Sequence, residues 1–168
     1  APPPDIDFLF APLKHARLDY MVEKAVELGA RRLRPVITRR TIAGRVNLER
    51  MRANAIEAAE QCNLVFVPEV LEPAKLEAVL RDWDHNRTLV FCDEKAERTG
   101  PLNTLGRLKL PAALLIGPEG GFAPDERAML LGLPFAHSIS LGPRTLRAET
   151  AGIAALALVQ ASLGDLRN

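Results

Sequence analysis

The chain has 168 residues, 48% of them hydrophobic and 26% charged, with a net charge of +1. That balance fits one globular domain with an ordinary core and excludes a disordered or fibrous chain. No apolar run reaches the length of a membrane span, so the sequence predicts a soluble, cytoplasmic protein, and the near-neutral charge does not by itself announce a nucleic-acid partner.

In chain order, Ile6 to Phe10 reads as a short strand. Leu18, Met21, Val22, Ala25, Val26 and Leu28 then recur at helical spacing until Gly29 supplies a stop. Leu33 to Ile37 reads as a second strand, with Pro35 pointing to an edge or irregular position because proline cannot donate to a ladder. Leu48 to Gln61 carries the apolar stripe of a helix, and Leu64 to Val70 reads as a brief strand ended by Pro68. Pro73 stands where a first helical residue is expected, opening a helix toward Trp83. "TLVFCDEK", Thr88 to Lys95, is a buried type of strand that leaves acids at its end, and Ala96 to Lys109 has no firm period and reads as a loop. "AALLIG" and "HSISLG" read as buried parallel strands, with Pro124 to Leu131 and Thr150 to Leu163 as helices. The sum is an α/β domain with a largely parallel sheet. The last helix is apolar on nearly every face, so it belongs in the core, in a subunit interface, or in both.

Cys62 and Cys92 have no CxxC spacing and sit in or beside apolar runs, which predicts reduced, buried thiols. His15, His85 and His137 are scattered, so no metal site is expected. "RRLRPVITRRTIAGR" holds Arg31, Arg32, Arg34, Arg39, Arg40 and Arg45 with no acid among them. It reads either as a solvated strand and loop or as a rim that contacts phosphates.

Two turns share one grammar. "LLIGPEGGFAPDE", Leu114 to Glu126, and "SISLGPRTLRAET", Ser138 to Thr150, each run from an apolar strand through a glycine corner into charged residues that open a helix. Neither has the Gly-Lys-Ser/Thr of a phosphate loop or the GxGxxG of a dinucleotide fold. Gly120 and Gly121 allow close approach of a ligand to the main chain, and in an open parallel sheet that crevice is where ligands bind. Glu119, wedged between Pro118 and the glycines, is more than turn chemistry asks. The second turn crowds Arg144, Arg147 and Glu149 at a helix start where one short polar residue would cap. Two guanidiniums there suit phosphates or carbonyl oxygens, with an ion-pair brace as the plainer reading.

On "LLIGPEGGF" and "LGPRTLRAET", supported by "VEKAVELGARRLRPV" and "EAAEQC", the chain resembles the SPOUT superfamily of methyltransferases and its RsmE-like branch, the 16S ribosomal RNA uracil-N3 methyltransferases. The resemblance covers nearly the whole chain. It implies a homodimeric SPOUT-type α/β domain over residues 1–168, its C-terminal part threaded in a deep trefoil knot that binds S-adenosyl-L-methionine. It places the cofactor against Leu115, Ile116, Gly117, Pro118, Gly120 and Gly121 in one loop and Leu141, Gly142, Pro143 and Leu146 in another. "FCDEK", Phe91 to Lys95, is the first of the three loops. Arg144, Arg147, Glu149 and Glu119 are then the catalytic candidates, and Arg31, Arg32, Arg39 and Arg40 the RNA-contacting ones. The expected partners are 16S rRNA or the small ribosomal subunit and a second copy, with no membrane and no metal. The family's N-terminal PUA-like RNA-binding domain has no counterpart here, so the chain is expected to be the catalytic domain of a longer protein. A ribose 2′-O-methyltransferase of the same fold and a noncatalytic RNA-binding module are the competing readings.

Overall fold

The computed structural model describes residues 1–167. Five main strands, β1 (Ile6–Phe10), β2 (Arg32–Ile37), β5 (Thr88–Cys92), β6 (Ala112–Ile116) and β7 (Ala136–Ile139), are joined by two-residue strands β3 (Glu69–Val70) and β4 (Ala74–Lys75). All pairings are parallel, in the order β3-β2-β1-β6-β5-β7, with β4 beside the far half of β2. The helices are α1 (His15–Glu27), α2 (Leu48–Gln61), α3 (Leu76–Arg81), α4 (Pro101–Leu105), α5 (Pro124–Leu131) and α6 (Ala148–Leu163), followed by a 3-10 turn at Asp165–Arg167.

The alternation of side chains along each strand sorts the core into two layers. Ile6, Phe8 and Phe10 of β1, Val90 of β5 and Leu114 and Ile116 of β6 face α1, α2 and α6. Leu9, Leu89, Phe91, Ala113 and Leu115 face the other way, toward α3 and Leu130 of α5. A sheet covered on both sides must be apolar on both sides, which is why β6 reads AALLI with no polar residue.

The strand and helix expectations hold for β1, α1, β2, α2, β5, β6, α5, β7 and α6, and three local readings are corrected. Pro35 is not among them: it lies in the gap between the β3 and β4 pairings of β2, the irregular position that the sequence allowed. Leu64 to Val67 is not a strand: Leu64, Val65 and Val67 are exposed, and only Glu69 and Val70 reach the sheet. Pro73 does not open a helix, because Ala74 and Lys75 first pair with Val36 and Ile37 and α3 begins at Leu76. Within the segment read as a loop, Pro101 starts the short α4, anchored by buried Leu105. Cys62 is also exposed rather than buried, at the end of α2.

Helix α6 divides as its composition demanded. Gly152, Ala155, Leu156 and Val159 are buried against the sheet and α1, while Ile153, Ala154 and Ala157 are only half-buried on the outer side. Gly152 allows the close approach, since a Cβ there would stand 3.1 Å from the Phe8 ring. The one polar residue on the buried face, Gln160, donates from Nε2 to the Leu28 carbonyl at 2.7 Å and accepts from the Asp165 N–H at 3.0 Å. It joins the ends of α1 and α6. Gln160→Leu keeps the volume but strands both backbone groups, and should cost about 2 kcal/mol in urea unfolding. An unchanged midpoint would show that the two ends do not need the amide.

Candidate active site

All five main strands are parallel, so their carboxyl ends emerge on one edge, and there the loops after β5, β6 and β7 enclose a cavity of about 400 Å3. The β6 loop supplies Ile116, Gly117, Pro118, Glu119, Gly120 and Gly121. The β7 loop supplies Leu141, Gly142, Pro143, Arg144 and Leu146. Cys92 to Lys95 complete the wall from the third loop. Gly121 and Gly142 have φ of +73° and +99°, and a Cβ at either would meet nothing within 4 Å. Their bare backbone therefore belongs to turns that leave open space beside the main chain.

Of the residues expected around a cofactor, nine line this cavity; Leu115, expected to contribute through its backbone, has its side chain fully buried in the core layer between the sheet and α5. The catalytic candidates also divide. Glu119 and Arg144 line the cavity, whereas Arg147 and Glu149 lie outside its wall. Arg144 and Arg147 are exposed, and neither hydrogen-bonds a carboxylate among the described residues.

The group that holds both acids is Arg17, on the first turn and a half of α1. Its Nη1 donates to Glu119 Oε1 at 2.9 Å. Its Nε and Nη2 grip the Glu149 carboxylate, the shortest bond being 2.7 Å. One planar fork thus ties the turn after β6 to the start of α6. No local motif announces this residue, since its partners lie 102 and 132 positions away.

A second brace fixes the floor. Glu126, only 1% exposed, accepts from the Ala123 N–H at 3.0 Å and from the Arg39 N–H at 3.1 Å. The first bond is the return half of a capping box at α5, where Ala123 has no side-chain acceptor to offer. The second pins the loop after β2 to the cavity. Asp93, also buried, takes both oxygens to Arg127 Nε at 3.0 Å. Cys92 beside it is pushed up to about 12 by burial and stays a neutral thiol.

The arginine run is split by the sheet. Arg31 and Arg32 stand at the amino end of β2, where Arg32 bonds Asp7 at 2.7 Å and Asp5 at 2.9 Å, and Arg87 shares Asp5. Arg32 is therefore part of an ion-pair cluster on the edge opposite the cavity, apart from Arg39 and Arg40. Arg39 and Arg40 emerge at the carboxyl end: Arg40 donates to the Gly120 carbonyl at 2.9 Å, and Arg39 pairs with Asp125 on the surface. No cluster of His, Cys, Asp and Glu fit to hold a metal occurs among the described residues.

The Arg17 hydrogen bonds hold the Glu149 carboxyl below its ordinary 4.5. A depressed folded value means that this contribution to stability is complete above pH 4.5 and disappears as the pH falls through the lowered value. Arg17→Met should cost roughly 1–2 kcal/mol at neutral pH, since the pair is only partly screened. The difference from the parent chain should narrow in acid, measured as urea midpoints across the pH range. A constant difference would assign the loss to packing instead of charge.

Residues 1–160 match the RNA methyltransferase domain family. The chain is 33% identical over 150 residues to the ribosomal RNA small subunit methyltransferase E of Rickettsia conorii, covering 88% of this chain and 61% of that protein. It thus spans about three fifths of the length of such curated relatives. Among solved structures, the ribosomal RNA small subunit methyltransferase E of Neisseria gonorrhoeae, bound to S-adenosyl methionine, superposes with a TM-score of 0.85 at 29% identity, covering 98% of this chain and 69% of that one. A Legionella pneumophila protein in complex with the same cofactor gives 0.78 at 32%, covering 96% and 68%. With the parallel sheet, the paired glycine turns and the match along nearly its full length, the chain belongs to the RNA methyltransferase domain family.

Proposed function

We propose that the chain is the catalytic domain of an S-adenosylmethionine-dependent methyltransferase acting on N3 of a uridine in the 16S RNA of the small ribosomal subunit, in the cytoplasm. The observation that carries this reading is the single cavity lined by both glycine turns, in a chain whose structural relatives include proteins solved with that cofactor bound. The cavity fits such a group. Ile116, Pro118, Leu141 and Leu146 offer apolar walls for a flat base, the open backbone at Gly121 and Gly142 offers hydrogen bonds, and Glu94 and Glu119 offer negative charge for a cationic end.

The cofactor supplies a methyl group made electrophilic by its positive sulfur. The protein must take the proton from uracil N3 and stabilise the charge that then spreads over O2 and O4. Arg144, on the cavity wall and without a carboxylate partner among the described residues, has its fork free for a carbonyl oxygen; Arg147 lies off the wall. Between the two carboxylates that the sequence left open, Glu119 reaches the cavity and is the proton acceptor in this reading. Glu149, gripped by Arg17 and held in its charged form, is a weak base and serves to position Arg17. Arg39 and Arg40, at the same edge, are placed to meet RNA phosphates.

Two further parts of the proposal concern the last helix. Its outer stripe, Thr150, Ile153, Ala154, Ala157 and Ala161, follows helical spacing and is apolar but for Thr150, as a helix pairing with a second copy requires. The return of α6 from edge strand β7 to pack against α1 and α4 accords with a knotted C-terminal segment.

Calorimetric titration of S-adenosylmethionine, with ATP and NAD as controls, should show saturable binding of the methyl donor alone. In the full-length protein acting on small subunits, Arg144→Ala should lower turnover about a hundredfold or more while leaving cofactor affinity unchanged. Full turnover would remove Arg144 from the chemistry, and nucleoside mass spectrometry showing a ribose methyl would replace the base with the 2′-hydroxyl. Ala157→Arg should convert dimers to monomers in sedimentation, and a chain already monomeric would discard the α6 interface.

A further inference from the structure

A second cavity, of about 450 Å3, opens between the start of α1, the loop before α2 and the first turns of α2. Its volume lies within the range of small-molecule sites, roughly 300–1,000 Å3. The floor is apolar, made by Leu13, Leu18, Val22 and Met51. The rim is polar and mostly basic, with Lys14, His15, Arg45, Asn47 and Arg50. Its one acid, Asp19, is already occupied: Arg50 bonds it through both Nε and Nη2, and Asn54 Nδ2 donates to it at 2.8 Å. Lys14, His15 and Arg45 have no acidic partner among the described residues. An apolar floor under the unopposed cations Lys14 and Arg45 matches a flat base that carries a phosphate.

Two features connect this cavity to the first. The segment from Thr38 to Asn47 is common to both, since Arg40 lines the first and Ala43, Gly44 and Arg45 line the second. Its beginning is fixed by the Arg39 bond to buried Glu126 and by the Thr38 N–H bond to Thr41 Oγ1 at 2.9 Å. On the other side, Lys14 and His15 stand on the second rim, and Arg17, two residues after His15 on α1, holds Glu119 of the first cavity. His15 itself has a φ of +44°, a region that residues with side chains seldom occupy and that is often kept at binding sites.

We propose that the second cavity holds a nucleotide of the single-stranded RNA that neighbours the target base, its base on Leu18, Val22 and Met51 and its phosphate against Arg45 and Lys14. For the identity of that strand this rests on the RNA methyltransferase reading. Such a subsite would keep the strand splayed, so that the target base remains unstacked when it enters the first cavity.

The test follows methyl resonances of the isotope-labelled chain during titration with 5′-phosphorylated triuridylate, and separately with S-adenosylmethionine. The RNA should shift Leu18, Val22 and Met51, and Arg45→Glu should weaken that response at least tenfold. The cofactor should shift Leu141 and Leu146 with the same affinity in both proteins. Unmoved Leu18, Val22 and Met51 methyls, or a response indifferent to Arg45→Glu, would overturn the subsite. So would equal shifts from hexaglutamate, which would make the rim a general anion surface. If the cofactor fails to bind while the RNA response stays dependent on Arg45, the methyl-transfer reading falls and the nucleotide site stands.

Discussion

A parallel sheet covered on both faces leaves polar groups only two places to emerge, and that constraint organises the molecule. β1, β5 and β6 are apolar almost throughout, so chemistry must wait for the residues that follow each strand. At the amino edge the emerging charges neutralise one another, Asp5 and Asp7 against Arg32 and Arg87. Desolvation there raises the Asp7 carboxyl even with two arginines beside it, as expected of a cluster that stabilises structure by being closed. At the carboxyl edge the loops part instead of closing, and the glycine turns leave backbone facing a cavity. Structure is concentrated at one end of the sheet and opportunity at the other.

The loops at the open end are long, yet carboxylates of widely different burial hold them. Glu126 satisfies the first turn of α5 and an amide of the loop after β2, Asp93 holds Arg127, and Glu119 and Glu149 share Arg17. Each brace joins elements far apart in the chain. This gives fixed side-chain positions without regular secondary structure, which is what a site made of loops requires to orient a reacting group.

Much of this was readable from residues alone because the strongest signals are local. The apolar run into Gly117, the second run into Gly142 and the stripe of α2 each declare themselves within a dozen positions. What the sequence concealed depends on neighbours supplied by the fold. Arg17 is one charge among many on an amphipathic helix until folding brings it to two acids. The basic run looked continuous, but β2 carries its ends to opposite edges of the sheet, so Arg32 and Arg40 have unrelated work. Leu64 to Val67 has the composition of a strand yet lies exposed outside the sheet, while α4 is too short to show a period and rests on Leu105. Leu115 lies beside the turn in sequence, yet the alternation of the strand points it into the opposite core layer.

The Arg17 fork also shapes how these positions can change over generations. Losing either acid leaves the arginine with a partner, whereas losing the arginine first leaves two carboxylates facing a common gap. The three sites are therefore unequal: drift can begin at Glu149, whose loss leaves Arg17 still paired with Glu119, whereas losing Arg17 first leaves both acids unpaired. Lineages lacking the arginine should also lack the acid at position 149, so the order of substitution, and not only its extent, is written into the geometry of one guanidinium.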